Sequence, residues 1–229
     1  VGAPGEDDQP GLILDVETFQ RDGALHIAGL FDGPGLKALT AFDVAGPGVR
    51  LQDPRLEAAI APATETASAL LGGRARPVRA VLFDKTAEAN WRVAWHQDRT
   101  IPVRERVEAP GFGPWSRKDG ILHVMPPVAV LERMATLRIH IDPVGPQNTP
   151  LRAALGSHRI GLVPADKAAA TAEALPQRVC LAEPGDVWAY STPLLHASDR
   201  AERPARRRVL QVDFAVDELP HDLQWSGVA

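Results

Sequence analysis

Two short pairs in this sequence carry the residue types of a metal site, His96-Gln97-Asp98 and His140-Ile141-Asp142. Residues i and i+2 of a strand point to the same side. A His-x-Asp pair on a strand, or just past its end, therefore offers an imidazole and a carboxylate to one ion. Non-haem Fe(II) oxygenases hold iron with two His and one carboxylate on one face of an octahedron, leaving the other face open for co-substrate and O2. The third ligand must then come from a distant strand that folds back. Taken alone, either pair reads more readily as the polar end of a strand. Context separates them. His96 follows Val93-Ala94-Trp95 and stands at a strand exit before a long segment, and downstream His196 lies in Pro193-Leu194-Leu195-His196-Ala197-Ser198. Eleven residues after His196 comes Arg207, opening the run Val209 to Phe214. A planar, permanently charged guanidinium suits a carboxylate such as the far end of 2-oxoglutarate, and Ser198 offers a hydroxyl beside it.

The elements that must position these residues are mostly short strands. Val78 to Phe83, Arg92 to Trp95, Thr136 to Ile141, Ile160 to Val163, Val179 to Leu181, Val187 to Ala189 and Val209 to Phe214 are β-rich and separated by Pro/Gly turns such as Glu183-Pro184-Gly185-Asp186. That pattern predicts a sandwich or barrel. The first third reads as mostly helical. Asp15 caps a short helix ending near Asp22-Gly23, and Leu36 to Val44 and Leu56 to Leu71 have helical spacing. Ala24 to Phe31 alternates weakly as a strand, the first ten residues form a loose arm, and one helix, Ala165 to Leu175, interrupts the later strands. Arg99 to Glu132 carries five prolines and three glycines. It reads as a long loop, and such a loop inside a compact domain is usually a lid or binding loop.

The bulk numbers limit the alternatives. With 229 residues and 45% hydrophobic content, the chain suits one domain with a full core. A net charge of −4 and a pI near 6.0 do not suggest a nucleic-acid or anionic-membrane coat. No apolar run approaches the length of a membrane helix. Cys180 is the one cysteine, so no internal disulfide forms and a reducing cytoplasm is the expected compartment. The chain begins at Val1 without an initiator Met, which leaves room for residues upstream.

Four blocks, in order, resemble the phytanoyl-CoA dioxygenase family. Trp95-His96-Gln97-Asp98 is similar to that family's Trp-His-Gln-Asp core, and Gln147-Asn148-Thr149-Pro150-Leu151 with Gly156-Ser157-His158 to its Asn-Gly-x-Leu and Pro-Gly-Ser-His stretch. Leu195-His196-Ala197-Ser198 resembles its distal His-x-Ser, and Arg207 falls at the spacing of its 2-oxoglutarate arginine. Thr149 and Leu155 depart from the usual Gly and Pro. The resemblance spans about residues 10 to 216. It implies a mainly β fold with flanking helices, a double-stranded β-helix (jelly-roll, cupin-like) core over about 76–216, packed against a helical region over about 10–75.

It also implies a dioxygenase using Fe(II), 2-oxoglutarate and O2 on a small-molecule substrate. His96, Asp98 and His196 would hold the iron, and Arg207 with Ser198 the co-substrate. Lys85, eleven residues before His96, falls near a lysine that approaches the co-substrate in relatives, although an exposed strand-end Lys is the plainer reading. Arg138 stands near the co-substrate where relatives commonly have an uncharged residue. Gln97, Trp115, His123 and His140 are candidates for touching substrate, with 99–132 as the lid. Related halogenases have Gly or Ala in the carboxylate position, so Asp98 points to hydroxylation or a related oxidation. A metal- or ligand-binding jelly roll without turnover accounts for the strands and the triad, but not for Arg207 at its spacing.

Overall fold

The computed structural model describes residues 14–43, 46–203 and 205–229. The arm expected over residues 1–10 lies outside these, as does Val44 at the end of the second expected helix. The chain opens with α1 (Val16–Asp22), whose N-cap Asp15 accepts from the Thr18 backbone N–H at 2.9 Å, a contact worth about 1 kcal/mol. Gly23 ends α1 in the left-handed region at φ 75°. A Cβ there would strike the His158 ring, so glycine is required twice over. β1 (Ala24–Ile27), α2 (Gly33–Thr40) and β2 (Val49–Arg50) follow. The helix expected over 56–71 is two, α3 (Arg55–Ala59) and α4 (Ala61–Leu71), joined at Ile60 ahead of Pro62. Proline suits the first turn of a new helix and not the interior of an old one.

The β region runs β3 (Arg76–Lys85), β4 (Val93–His96), β5 (Ile101–Val103), β6 (Trp115–Lys118), β7 (Ile121–Val124), the short helix α5 (Val128–Leu131), β8 (Met134–His140), β9 (Leu151–Ala154), α6 (Ala168–Glu173), β10 (Gln177–Cys180), β11 (Val187–Ser191), β12 (His196–Ser198) and β13 (Arg207–Ala215). A six-stranded sheet has the order β1-β11-β8-β13-β3-β2, and a four-stranded sheet the order β10-β9-β12-β4. β11, β8, β13 and β3 therefore face β10, β9, β12 and β4 as the eight strands of a double-stranded β-helix, all paired antiparallel.

Alternation along the large sheet separates an apolar outer face from a polar inner one. Leu137 and Ile139 of β8, Leu210, Val212 and Phe214 of β13, and Ala80 and Leu82 of β3 join Leu56, Ile60, Ala63 and Ala67 of the helical region in one buried cluster. The opposite face of the same strands carries Thr136, Arg138 and His140, then Arg207, Gln211 and Asp213, then Arg79 and Lys85, all buried. Burying this many polar and charged groups is costly unless they pair with one another or with a ligand, so the inner face is where function concentrates.

Two expectations are corrected. Ile160 to Val163 is not a strand. It follows a 3-10 turn (Ser157–Arg159), and Gly161 at φ 81° with Pro164 behind it breaks an extended run. Segment 99–132 is not a loop but a three-stranded sheet, β5-β7-β6. Its apolar residues Ile101, Val103, Phe112 and Val124 pack with Leu219, Leu223 and Trp225 of the C-terminal segment.

Candidate active site

β4 and β12 are neighbours in the small sheet, and their register sets His96 opposite His196. The Nδ1 of His96 lies 2.9 Å from the Ala94 carbonyl and that of His196 2.9 Å from the Leu194 carbonyl. A carbonyl only accepts, so each Nδ1 carries the proton and each Nε2 presents a lone pair. Asp98, just past the end of β4, completes the group, with donor atoms of all three residues within 4.8 Å of one another. This set fits a divalent transition metal: two neutral imidazoles of fixed tautomer and one ionised carboxylate. Burial, then the neighbouring His96, pushes His196 down to about 4, so it is neutral at pH 7.

Asp98 is gripped from the sheet side. Its Oδ2 accepts from Gln211 Nε2 at 3.3 Å and lies 3.3 Å from Arg79 Nη2. Burial alone would push this carboxyl up, but Arg79 and the two histidines outweigh it and hold it well below the usual range. Arg79 also pairs with Asp213 at 2.5 Å, and Thr136 donates to Asp213 at 3.0 Å. Oδ2 is thus occupied by donors, and Oδ1 is left for an ion.

A cavity of about 130 Å³ opens beside the three ligands. Its basic residues are Lys85, Arg138 and Arg207. Arg207 and Lys85 face each other across the β13–β3 pair. Arg207 donates to the Thr149 carbonyl, Arg138 to Gln211 Oε1 at 2.6 Å and Lys85 to the Trp91 carbonyl at 2.8 Å. Among the described residues none of these three pairs with a carboxylate, and the Nε atoms of Arg138 and Arg207 are buried without a partner. Burial, then Arg138 nearby, lowers Arg207 to about 9, and burial followed by Arg207 and Arg138 lowers Lys85 to about 8. These are sites poised for an anion. Ser198 is on the same wall. Arg206 and Arg208 point the other way, Arg206 to Asp84 and Asp43 at 2.9 Å each and Arg208 to Asp142 at 2.8 Å.

The remaining candidates do not reach the cavity. Gln97 turns away and ties loops together, donating to the carbonyls of Gly161 at 2.8 Å and Pro193 at 2.7 Å and accepting from Val163 N at 2.9 Å. Trp115 packs in the cluster of the β5-β7-β6 sheet, under the Arg106 guanidinium. His123 is fully buried in that sheet, its Nδ1 bonded to the Ile121 carbonyl at 3.0 Å. No residue of 99–132 is in the cavity wall; the segment meets the site's surroundings through Lys118, whose charge acts on Asp98. His140 lies on the inner face of β8 without a partner for either nitrogen, and Asp142 is engaged by Arg208, so the second His-x-Asp pair forms no site.

Arg79 is a neighbour of the site that motif reading missed, whereas Gln211 and Asp213 follow Arg207 by strand alternation onto the same buried face of β13. The available signal was a charged or amide residue on one face of otherwise apolar strands. Tyr190 lies beside them, its hydroxyl 3.4 Å from Gln211 Oε1 and its ring 5.1 Å from that of His196.

A double-stranded β-helix with two histidines and an aspartate clustered beside its small sheet defines the class, a jelly-roll protein with a candidate facial triad. The sequence model of the family described as Phytanoyl-CoA dioxygenase (PhyH) matches residues 51–209, and the chain belongs to that family. Among solved structures, it is similar to AviO1 from Streptomyces viridochromogenes Tue57, at 22% identity and TM-score 0.62, covering 90% of this chain and 94% of that one. It is also similar to EctD from S. alaskensis, solved with 2-oxoglutarate and 5-hydroxyectoine, at 17% identity and TM-score 0.66 over 93% of this chain and 79% of that one. A third likeness is to SnoN, a non-heme alpha ketoglutarate dependent epimerase from nogalamycin biosynthesis, at 15% identity and TM-score 0.61 over 93% of each chain. At these identities the structural likenesses speak to the fold. A comparison with curated proteins finds no match. No helix among the described residues is long and apolar enough to cross a membrane.

Proposed function

We propose that this protein is an Fe(II)- and 2-oxoglutarate-dependent oxygenase that hydroxylates an unactivated C–H bond of a small molecule, releasing succinate and CO2. The observation that carries the reading is one cavity holding both halves of the chemistry: the His96, Asp98 and His196 donors, and buried Arg207, which pairs with no carboxylate among the described residues. Iron and co-substrate, when bound, supply the activation of O2 and the oxidising power; the protein supplies binding, orientation and exclusion of water. His96 and His196 present Nε2 as metal donors because their Nδ1 protons are committed to the backbone. Gln211 and Arg79 hold Asp98 so that one oxygen faces the metal. Arg207 takes the far carboxylate, with Lys85 across the strand pair and Ser198 beside it. Apolar Phe83, Val93 and Leu151 in the wall limit water at the reacting centre.

Solved neighbours include an epimerase and a carbocyclase, so the reaction type is tested separately from the co-substrate. With Fe(II), O2 and 2-oxoglutarate, purified protein is expected to form succinate slowly without substrate, and His196→Ala is expected to form none. Mass spectrometry of candidate small molecules then looks for a gain of one oxygen. Succinate formation together with loss of two hydrogens or an inverted centre would replace hydroxylation by another oxidation within the same class. Absence of succinate under all conditions would favour a ligand-binding jelly roll.

A further inference from the structure

Arg138 is 7% exposed, lies in the cavity wall, and meets one neutral acceptor, Gln211 Oε1 at 2.6 Å. Its Nε is buried without a partner. A buried guanidinium stays charged, and a buried charge needs a counter-charge. None comes from the described residues, so it must arrive with a ligand. The position says which end of a ligand. Arg138 pairs in register with Gln211 of β13, four residues along that strand from Arg207, about 13 Å of backbone. From there its guanidinium lies over the Phe83 ring, 5.3 Å from the centroid. It therefore reaches along the sheet toward the row of Arg207 and Lys85. Its acceptor Gln211 is in turn bonded to the metal-facing carboxylate of Asp98. The guanidinium thus sits between the Gln211–Asp98 contact and Arg207, which stands two inward positions further along β13, past Val209.

We propose that Arg138 is a second anion anchor, which receives the carboxylate next to the keto group of the co-substrate while Arg207 receives the distal one. This rests on the functional reading above and deepens it: the cavity recognises a dicarboxylate by both ends, and the metal-end carboxylate is held by the protein as well as by the metal. A guanidinium beside that carboxylate also orients the 2-oxo acid before O2 arrives.

The test is a binding measurement without turnover. Protein loaded with Mn(II) under nitrogen is titrated by calorimetry with 2-oxoglutarate and with 2-oxopentanoate, which keeps the 2-oxo acid end and lacks the distal carboxylate. The variants are Arg138→Met, Arg138→Lys and Arg207→Met, each checked by circular dichroism and thermal midpoint. Arg138→Met removes a buried charge at similar side-chain length, which spares the desolvation cost of that charge, and Arg138→Lys keeps the charge if Arg138→Met does not fold. Arg138→Met is expected to weaken both ligands by about 10- to 100-fold, the range for a hydrogen bond to a charged group. Arg138→Lys should recover part of that loss. Arg207→Met should weaken 2-oxoglutarate and leave 2-oxopentanoate nearly unchanged. Unchanged 2-oxoglutarate binding in Arg138→Met overturns the proposal and leaves Arg138 for an anionic group of the substrate. Weakening of 2-oxoglutarate alone overturns the metal-end assignment. If the unaltered protein binds no 2-oxoglutarate, the functional reading falls first, a result distinct from both.

Discussion

His96 and His196 stand opposite each other across β4 and β12, their ring centroids 4.3 Å apart, and each is locked by its Nδ1 to the carbonyl two residues behind it. With the Asp98 carboxylate held by Gln211 and Arg79, donor atoms of the three side chains come within 4.8 Å of one another. Changing an outer-shell partner of a metal ligand costs about 10- to 100-fold in affinity. Removing a ligand outright, as in His196→Ala or Asp98→Ala, is expected to cost more than that. Titration with Co(II), followed by its visible absorption, checks this. Binding retained within threefold in both variants would remove the triad from the account.

Arg206, Arg207 and Arg208 are consecutive, yet only Arg207 faces the cavity. Arg207→Ala is expected to raise the 2-oxoglutarate concentration needed for half-maximal succinate formation by about 10- to 100-fold. Arg206→Ala removes only the exposed side of its pairs with Asp43 and Asp84 and should leave that concentration unchanged. Equal effects would mean that β13 presents its other face.

Arg79 joins two carboxylates, half-buried Asp98 and fully buried Asp213. Burial, and after it the neighbouring Asp98 charge, raises the pKa of Asp213 against the opposing pull of Arg79. Arg79→Met would strand both acids, and breaking a buried pair costs about 3–5 kcal/mol. Chemical denaturation should show a loss of that order. In the double variant Arg79→Met/Asp213→Leu much of the loss should return, because the second uncompensated charge is gone. Equal stabilities of the single variant and the parent would show that the pair is dispensable.

Three buried histidines set the acid limit of the metal-free protein. Burial lowers His196 and His123 to about 4, and burial followed by Arg138 lowers His140 to about 3. The unfolded chain binds these protons near 6.5. Between that value and about 4 it therefore holds more protons than the folded chain, and stability falls as pH falls through this window. His140→Leu should flatten the slope of unfolding free energy between pH 6.5 and 4, and by removing an unpartnered polar ring it should not destabilise the protein at pH 7. An unchanged slope would place the acid sensitivity elsewhere.

The cluster of His96, Asp98 and His196 was legible because its pieces are short motifs: a His-x-Asp at a strand exit, and a distal histidine with arginine at fixed spacing. The supporting shell was not. Arg79 and Gln211 meet Asp98, and Asp213 meets Arg79, only through the β3–β13–β8 register. Strand β9 escaped notice because Leu151-Arg152-Ala153-Ala154 has little intrinsic preference for a strand; its neighbours β10 and β12 hold it in place. The sheet in 99–132 did have a signal. Lys118 pairs with Ile121 around Asp119-Gly120, both at positive φ, the two-residue Asp-Gly hairpin turn. Prolines and glycines around it made the segment read as a loop. Gln97 was drawn toward the substrate by its place between two ligands, although strand alternation turns it to the opposite side.

The central claim is that one cavity binds metal and 2-oxoglutarate together, and anaerobic visible spectroscopy tests it most directly. Fe(II) is added to the protein under nitrogen, followed by 2-oxoglutarate. A weak charge-transfer band should appear only when both are present. It should be absent in His196→Ala and require far more 2-oxoglutarate in Arg207→Ala. No band in the parent protein, with Fe(II) and 2-oxoglutarate each bound in separate titrations, would mean that the two do not meet at His96, Asp98 and His196.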